Sequence, residues 1–316
     1  MRHSFVFLFL LLCSLQLSSQ QFLILNLRND LFNTSEVCES GEECFGMFDL
    51  ELVNDSSLEL LHNSKHSFTS IDRRNWIAQV EGKRVLFVVH GMAKGWAEAN
   101  KDLCNVYWSL QKYTSDLYDV VIGVSWPGDS YLGISPYYRA NRQSLKSGKL
   151  LAPIVKVIGE KAMTMDIMTH SMGSKVMCKM IKKDDVHFDH AFLLAPSILR
   201  NSLKPLKRWR KTLKNIDERM MIFYSNGDYA FNWTPLQHLG MGYEGMKHRS
   251  SMRYDKVTQV NCDEVVNQVA YRQIDRNAFS SRSNHSYYTQ CPQVFEYIQS
   301  VNDRPEDKSA VILAGN

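Results

Sequence analysis

Short apolar runs alternate along the chain with longer segments in which an apolar residue recurs every three or four positions. The runs predict strands at residues 22–27, 47–53, 84–91, 119–125, 163–170, 188–195, 220–228 and, as the last strand, 257–260. The periodic segments predict helices at residues 97–112, 136–161 and 293–301. Strands that alternate with helices predict an α/β protein, in which a mostly parallel central sheet carries helices on both faces.

The first twenty residues have the pattern of a secretory signal peptide. A charged start is followed by an apolar run over residues 5–17 and by small polar residues up to residue 20. The run is short for a membrane span, although an uncleaved anchor is the alternative. We therefore expect a signal peptide over residues 1–20, a secreted or periplasmic protein, and a single domain over residues 21–316. Within it, residues 21–83 form N-terminal strands and loops, and residues 84–300 form the core of the fold.

Export would leave six cysteines in an oxidising compartment, where disulfide bonds form. Cys38 with Cys44 is the local pairing, and Cys262 with Cys291 is a weaker one, although six cysteines allow fifteen connectivities. Cys178 falls on the apolar side of a predicted helix and is expected to be a buried free thiol. The sequence has no Cys-x-x-Cys pair and no His-Glu-x-x-His pattern, so we expect no metal.

The formal net charge of +4 is too small to predict a nucleic-acid partner. One stretch, residues 204–214, concentrates positive charge. Its basic residues are Lys204, Lys207, Arg208, Arg210, Lys211 and Lys214. A solvated helix face is the first interpretation of this stretch, and weak contact with an anionic membrane or polymer surface is the alternative.

The sequence around Ser171 carries the clearest chemical signal. Residues 163–170 predict a strand, and a helical pattern follows with apolar Val176, Met177 and Met180 on one face. Ser171 then stands at a strand-to-helix corner, where a nucleophile elbow presents its hydroxyl, and Gly173 supplies the small residue that such a corner needs. Thr169 replaces the first glycine of the Gly-x-Ser-x-Gly pattern. An ordinary helix N-cap serine is therefore the alternative.

A nucleophilic serine needs a base, and the base needs a carboxylate that holds its tautomer. Asp228 follows a predicted buried strand, and His285 lies in a polar loop near the final helix, so the chain order is serine, acid, histidine. Asp228 as a turn residue and His285 as a surface histidine are the alternatives, with Asp189 as a reserve acid. His90 and His170 precede turns and are expected to be structural hydrogen-bonding groups.

Acyl transfer also needs hydrogen-bond donors for the oxyanion that develops on the substrate. The backbone N–H of Met172, directly after the serine, is one expected donor. The backbone N–H of Met92, after the strand that ends at His90 and Gly91, is the other. If Met92 is only a core residue, a neighbour within residues 92–95 supplies the second donor.

Six short motifs occur in an order that resembles the α/β-hydrolase superfamily. They are His90-Gly91, Ser125-Trp126-Pro127, His170-Ser171-Met172-Gly173, Ala195-Pro196, Asn226-Gly227-Asp228 and His285-Ser-Tyr-Tyr. The chain is most similar to a lipase- and esterase-like, largely uncharacterised bacterial family with a Ser-Trp-Pro motif, over about residues 84–300. Ser197 stands where relatives often have an aspartate.

The resemblance implies an α/β-hydrolase fold with Ser171 as nucleophile, Asp228 as acid, His285 as base and Met92 and Met172 at the oxyanion hole. It implies no cofactor and a small ester or lipid-like substrate. A catalytically inactive binding protein is the alternative, and thioesterase, acyltransferase and peptidase activities would use the same three residues.

Aromatic residues after the strand ends are candidates to line an acyl or aryl pocket, or else to pack the core. They are Trp126, Tyr131, Tyr137, Tyr138, Tyr229, Phe231 and Trp233. Residues 233–247 contain three glycines and are a candidate lid or mobile wall.

Overall fold

The computed structural model describes residues 21–29, 36–48, 68–114, 116–128, 134–182, 186–204, 207–228, 230–231, 239–246, 255–269, 284–289, 291–303 and 310–314. The expected signal peptide lies outside the described residues, as do Tyr131, Tyr229 and Trp233.

The strands form one ten-stranded sheet in the order β10-β9-β8-β7-β6-β4-β5-β1-β2-β3. Their bounds are β1 Gln21–Asn26, β2 Cys44–Phe48, β3 Phe68–Ser70, β4 Arg84–Val89, β5 Val120–Ser125, β6 Thr164–His170, β7 Phe188–Leu194, β8 Ile216–Tyr224, β9 Val257–Asn261 and β10 Ala310–Ile312. Among the described strands, only β2 pairs antiparallel with its neighbours, β1 and β3. The predicted α/β class with a mostly parallel sheet is therefore confirmed.

The helices fill the connections between the parallel strands. They are α1 Arg73–Ala78, α2 Trp96–Tyr113, α3 Ile134–Gly159, α4 Gly173–Ile181, α5 Met241–Glu244, α6 Asp263–Val269 and α7 Pro292–Asp303. Short 3-10 helices occupy Thr212–Asn215 and Asn284–Thr289. Helix α3 packs on α4, and α7 packs on α2, so helices cover the sheet in pairs.

The N-terminal strands differ from the sequence prediction. Strand β1 lies inside the sheet and pairs in parallel with β5, with Leu23 opposite Ile122. Its side chains Phe22, Leu23, Ile24 and Leu25 are buried, and its backbone has sheet neighbours on both sides. The second strand is Cys44–Phe48, earlier than the predicted 47–53. Strand β9 is not the last, because β10 pairs with its outer edge.

The basic segment also differs from its first interpretation. Of this segment the structure describes residues 204 and 207–214, which form bends and turns that lead into the 3-10 helix Thr212–Asn215, not a regular helix face. Trp209 is buried, and the guanidinium of Arg208 lies 4.6 Å from the centre of its ring. Lys207, Arg208, Arg210, Lys211 and Lys214 are exposed.

None of the six described cysteines is in a disulfide bond; they are Cys38, Cys44, Cys104, Cys178, Cys262 and Cys291. The predicted pairs Cys38–Cys44 and Cys262–Cys291 are therefore wrong for this structure. The Cys262 thiol instead donates to the Val260 carbonyl oxygen at 3.6 Å, and the Cys291 thiol donates to Gln293 Oε1 at 3.2 Å. Cys178 is a buried free thiol as expected, and burial raises its pKa to about 12.

Candidate active site

Ser171 occupies a strained corner directly after β6. Its φ of +51° is in the left-handed region that non-glycine residues avoid. The Ser171 N–H donates to the Leu194 carbonyl oxygen at 2.9 Å. Its own carbonyl oxygen accepts from the Ser197 N–H at 3.0 Å and from the Ser174 hydroxyl at 2.7 Å. These bonds hold the serine at the strand-to-helix corner, which is the geometry of a nucleophile elbow.

Two glycines allow the chain to approach this corner closely. A Cβ added to Gly173 would lie 2.5 Å from the Val89 carbonyl oxygen and 2.8 Å from that of His90. A Cβ at Gly91 would lie 3.0 Å from His170 Nδ1 and 3.1 Å from Ser171 Cβ. Real Cβ atoms essentially never come as close as the contacts at Gly173 and rarely as close as those at Gly91, so glycine lets α4 and the loop after β4 pack directly against the end of the sheet.

The structure brings Asp228 and His285 together. His285 Nδ1 lies 2.7 Å from Asp228 Oδ2, and the carboxylate is completely buried while the His285 side chain is 19% exposed. The other carboxylate oxygen accepts from the Ala230 N–H at 3.1 Å. Because an ionised carboxylate only accepts hydrogen bonds, it fixes the Nδ1–H tautomer of neutral His285. Nε2 is then the ring atom that can take up a proton.

Asp228 is held in place by a residue that the sequence did not single out. Asp263, at the start of α6, accepts from the Ser225 hydroxyl and from the Asn226 N–H, each at 2.7 Å. These bonds fix the turn after β8 that carries Asp228.

Asp189, the reserve acid, lies near the start of β7 and accepts from the Met165 N–H at 2.8 Å. It therefore belongs to the opposite edge of the sheet.

His170 connects the corner to the His285 segment. His170 Nε2 lies 2.8 Å from the His285 carbonyl oxygen, and the two ring centres are 4.7 Å apart. A carbonyl oxygen can only accept, so Nε2 carries the proton. Burial, with His285 as a second cause, holds the pKa of His170 well below its ordinary value. The ring therefore stays neutral and acts as a structural donor.

His90 orders the loop on the other side of Ser171. Its Nε2 accepts from the Trp126 N–H at 3.1 Å, so Nδ1 carries the proton and donates to the Gly91 carbonyl oxygen at 2.7 Å. The Trp126 indole N–H donates to the His90 carbonyl oxygen at 2.8 Å, and the two rings stack. Burial, reinforced by the positive charge of Arg28, lowers the pKa of His90 to about 3.

Arg28, just after β1, is a buried cation that the sequence analysis missed. Its guanidinium donates to Ser125 Oγ at 3.2 Å, to the Trp126 carbonyl oxygen at 2.8 Å and to the Lys94 carbonyl oxygen at 3.1 Å. One side chain thus joins β1, the end of β5 and the loop after β4. No local motif marks it, because its role depends on where β1 enters the sheet.

The expected oxyanion donors lie in this ordered loop and at the corner. The Ala93 N–H is already bonded to the Gly128 carbonyl oxygen at 2.7 Å, which removes it as a second-donor candidate. The N–H groups of Met92 and Met172 have no backbone acceptor among the described residues. Both remain suitable for a ligand oxygen.

The aromatic candidates that the structure describes mostly pack inside the protein. Trp126 and Tyr137 are buried, Phe231 is buried with its ring edge-on to His285 at 5.5 Å, and Tyr138 is 58% exposed.

The described part of the candidate lid, residues 239–246, is held by backbone hydrogen bonds. Met241 N–H donates to the Ile198 carbonyl oxygen at 2.8 Å, and Gly242 N–H donates to that of Pro196 at 3.0 Å. These bonds tie the described part to the loop after β7, and the rest of the candidate lid lies outside the described residues.

Within the described ranges, no group of three or more His, Cys, Asp and Glu side chains is arranged to hold a metal ion. The parallel sheet, the strained serine corner and the paired aspartate and histidine at its edge define an α/β hydrolase. The chain belongs to the family described as "Alpha/beta hydrolase of unknown function (DUF900)", which it matches over residues 69–304.

No curated protein matches the sequence. Among solved structures, a Trichoderma reesei cutinase is similar, with 11% identity and a TM-score of 0.31 over 79% of this chain and 91% of the cutinase. Carboxyl esterase 2 of Tuber melanosporum has 12% identity and a TM-score of 0.30 over 74% and 68% of the two chains. Similarity at this level carries no argument about the reaction.

Proposed function

We propose that this protein is a serine hydrolase that cleaves carboxylic esters through an acyl-enzyme. His285 Nε2 takes the proton of the Ser171 hydroxyl while the oxygen attacks the ester carbonyl. The imidazolium then returns the proton to the leaving alcohol as the C–O bond breaks. A water molecule attacks the acyl-serine by the same route in reverse and releases the acid. Neither step calls for a metal or cofactor.

The observation that carries the proposal is the 2.7 Å contact between His285 Nδ1 and buried Asp228 beside the strained Ser171 corner. The carboxylate would stabilise the imidazolium that forms during attack. The Met92 and Met172 N–H groups would donate to the oxyanion. A small ester or lipid-like molecule is the substrate class that this chemistry serves.

We further propose that the protein acts after export, in a secreted or periplasmic location. The signal-peptide pattern of residues 1–20 supports this. Secretion of a fusion of residues 1–20 to a reporter, with cleavage near residue 20, is the test. Retention of the reporter inside the cell would contradict it.

Weak contact with an anionic membrane is proposed through residues 204–214. Five exposed cations lie there, and no Asp or Glu occurs between residues 190 and 216. Two exposed leucines, Leu199 at 43% and Leu239 at 63%, lie on two segments that pair through Leu199 and Gly240, and Leu199 shortly precedes the basic residues. We expect salt-sensitive flotation with vesicles containing phosphatidylserine, which is lost when Lys207, Arg208, Arg210 and Lys211 become Gln. Equal flotation of the variant would contradict the proposal.

The test of the enzymatic proposal compares the wild type with Ser171→Ala on short p-nitrophenyl esters. We expect hydrolysis by the wild type and a loss of about 10³-fold or more in the variant. Equal rates in both would remove Ser171 from the reaction. Thioester, peptide and acyl-acceptor substrates assayed in parallel separate esterase from thioesterase, peptidase and acyltransferase activity. A wild type that fails on all of them would favour a binding protein that keeps the fold.

A further inference from the structure

Lys175 is a buried cation directly behind the serine corner. It lies in the first turn of α4, and only 8% of the residue is exposed. Its Nζ donates to the Tyr137 hydroxyl at 2.8 Å and to Asn141 Oδ1 at 2.9 Å, both on α3. It also lies 4.6 Å from the centre of the Tyr137 ring. In the part of the chain that the structure describes, no carboxylate pairs with it.

Burying an ammonium group without a counter-ion costs folding free energy, so a lysine in this position suggests a functional role. Burial lowers the pKa of Lys175 to about 7, and the positive charge of Arg208 adds to this shift. The described titratable groups that face Nζ are Tyr137 on α3, Arg208 on the basic segment and Cys178 on α4 itself. The amine can therefore change its protonation state near neutral pH.

Further contacts connect the surroundings of Lys175 with Ser171. Tyr137 is buried, and the side chain of Ser197 faces its hydroxyl, partly opposing the rise in the Tyr137 pKa that burial causes. The Ser197 N–H donates to the Ser171 carbonyl oxygen at 3.0 Å. At the other end, the Lys175 N–H donates to the Met172 carbonyl oxygen at 2.9 Å. Ser197 thus bonds the backbone of Ser171, and Lys175 bonds the residue after it, while the Lys175 side chain ties the start of α4 to α3.

Two turns at this corner have a strained backbone. Ser171 has a φ of +51°, and Ala195, two residues before Ser197, has a φ of +45°. Such conformations persist only where surrounding contacts hold them. The bond between Ser197 and Ser171 joins these two strained turns. Lys175 ties the helix that follows Ser171 to α3.

We propose that Lys175 is a positioning residue that, by tying the start of α4 to Tyr137 and Asn141 on α3, holds the backbone of Ser171 in its reactive corner. The inference rests on the proposed function, since it gives the corner a catalytic purpose. The charged amine donates to Tyr137 Oη. The uncharged amine can also accept from the Tyr137 hydroxyl. The two protonation states therefore favour different hydrogen-bond directions between Lys175 and Tyr137.

The experiment compares the wild type with Lys175→Met, Tyr137→Phe and the double variant, with Lys182→Met as a control at the exposed end of α4. For each we would measure kcat and KM for an ester from pH 5.5 to 9. We expect each single variant to lower kcat about tenfold with KM unchanged, as the loss of one hydrogen bond allows. The double variant should be no slower than the worse single variant, because both residues act through one path. The wild-type kcat should show an ionisation near pH 7 that is absent from Lys175→Met.

A second measurement does not depend on activity. Amide hydrogen exchange of the peptide covering residues 165–178 should be faster in Lys175→Met than in Lys182→Met. Wild-type kcat and wild-type exchange in Lys175→Met would overturn the positioning role. If the wild type has no activity, the proposed function fails, while the exchange rates still decide whether Lys175 holds the corner.

Thermal unfolding checks that the variants fold. The Lys175 pKa is about 7 in the folded protein, below the ordinary 10.5, so the unfolded chain binds more protons between these values. The melting temperature of the wild type relative to Lys175→Met should therefore rise as the pH rises from 7 towards 10. A constant difference would show that the amine is not buried as described. Should Lys175→Met not fold, Tyr137→Phe carries the same kinetic and exchange tests.

Discussion

His170 donates a hydrogen bond from Nε2 to the backbone carbonyl oxygen of His285 at 2.8 Å, although the two residues are 115 positions apart. The residue before the proposed nucleophile thereby holds the segment that carries the proposed base. Asp228 fixes the ring of His285 from one side, and His170 fixes its backbone from the other. The alignment of serine and base thus depends on two separate contacts.

Replacing His170 by Ala should slow Ser171 acylation by about tenfold, because the His285 segment loses one hydrogen bond and a packed ring. The measurement is the second-order rate of labelling by a fluorophosphonate. His170→Asn, which keeps an N–H donor, should recover part of the loss. His187→Ala is the control, since His187 is exposed and pairs with Asp217 at the opposite edge of the sheet. Equal labelling of His170→Ala and His187→Ala would contradict the role given to His170.

Gly173→Ala should destabilise the protein by about 1–3 kcal/mol and lower labelling of Ser171. The new Cβ would lie 2.5 Å from the Val89 carbonyl oxygen, so α4 must move away from the sheet. Gly159→Ala is the matched control, because its Cβ would meet only the flexible end of Met165, at 3.1 Å. Chemical denaturation and labelling report the two effects. A neutral Gly173→Ala would mean that the helix start tolerates a side chain.

Acid should weaken the fold through His90. Its pKa is about 3 in the folded protein, below the ordinary 6.5, so between these values the unfolded chain binds a proton that the folded protein does not. The stability contributed by neutral His90 is thus complete above pH 6.5 and falls as the pH falls, by up to about 1.4 kcal/mol per pH unit. His170 acts in the same direction.

The measurement is the free energy of unfolding of the wild type and of His90→Gln from pH 7.5 down to pH 4. We expect the variant to lose less stability than the wild type over this range, because it lacks the titrating ring. Parallel curves for the two proteins would show that His90 is protonated in the folded state.

Arg28→Lys should lower labelling of Ser171 about tenfold and cost about 2 kcal/mol of stability. Lysine keeps the charge but cannot reach Ser125, Trp126 and Lys94 together as the planar guanidinium does. The loop that carries the Met92 N–H would then lose its tie to β1 and β5. Arg210→Lys, at an exposed position, is the control. If both variants labelled like the wild type, the Arg28 contacts would have no part in ordering the loop.

The order of strands and helices could be predicted because buried parallel strands appear in the sequence as continuous apolar runs. The corner at Ser171 and the strand-end position of Asp228 follow from the same runs, since the carboxyl ends of parallel strands share one edge. The place of β1 beside β5 could not be predicted, because an apolar strand of this kind fits several positions in a sheet. Arg28, which depends on that place, was missed for the same reason.

Contacts between distant segments were the other part that the sequence did not reveal. The bond of His170 goes to a backbone carbonyl, which carries no residue identity, and Asp263 supports Asp228 from a separate helix. The sequence does not distinguish Lys175 from an ordinary helix residue, because it does not show that the side chain is buried. The disulfide prediction failed because cysteine spacing does not report whether two thiols face each other.

The proposal that Ser171 is a nucleophile activated by His285 and Asp228 is tested most directly by reacting the folded protein with a fluorophosphonate and mapping the modified peptide by mass spectrometry. We expect a single adduct on Ser171, no adduct in Ser171→Ala, and labelling slowed at least about 10³-fold in His285→Ala and Asp228→Asn. No adduct on the wild type, an adduct on a different residue, or undiminished labelling of Ser171 in His285→Ala would contradict it.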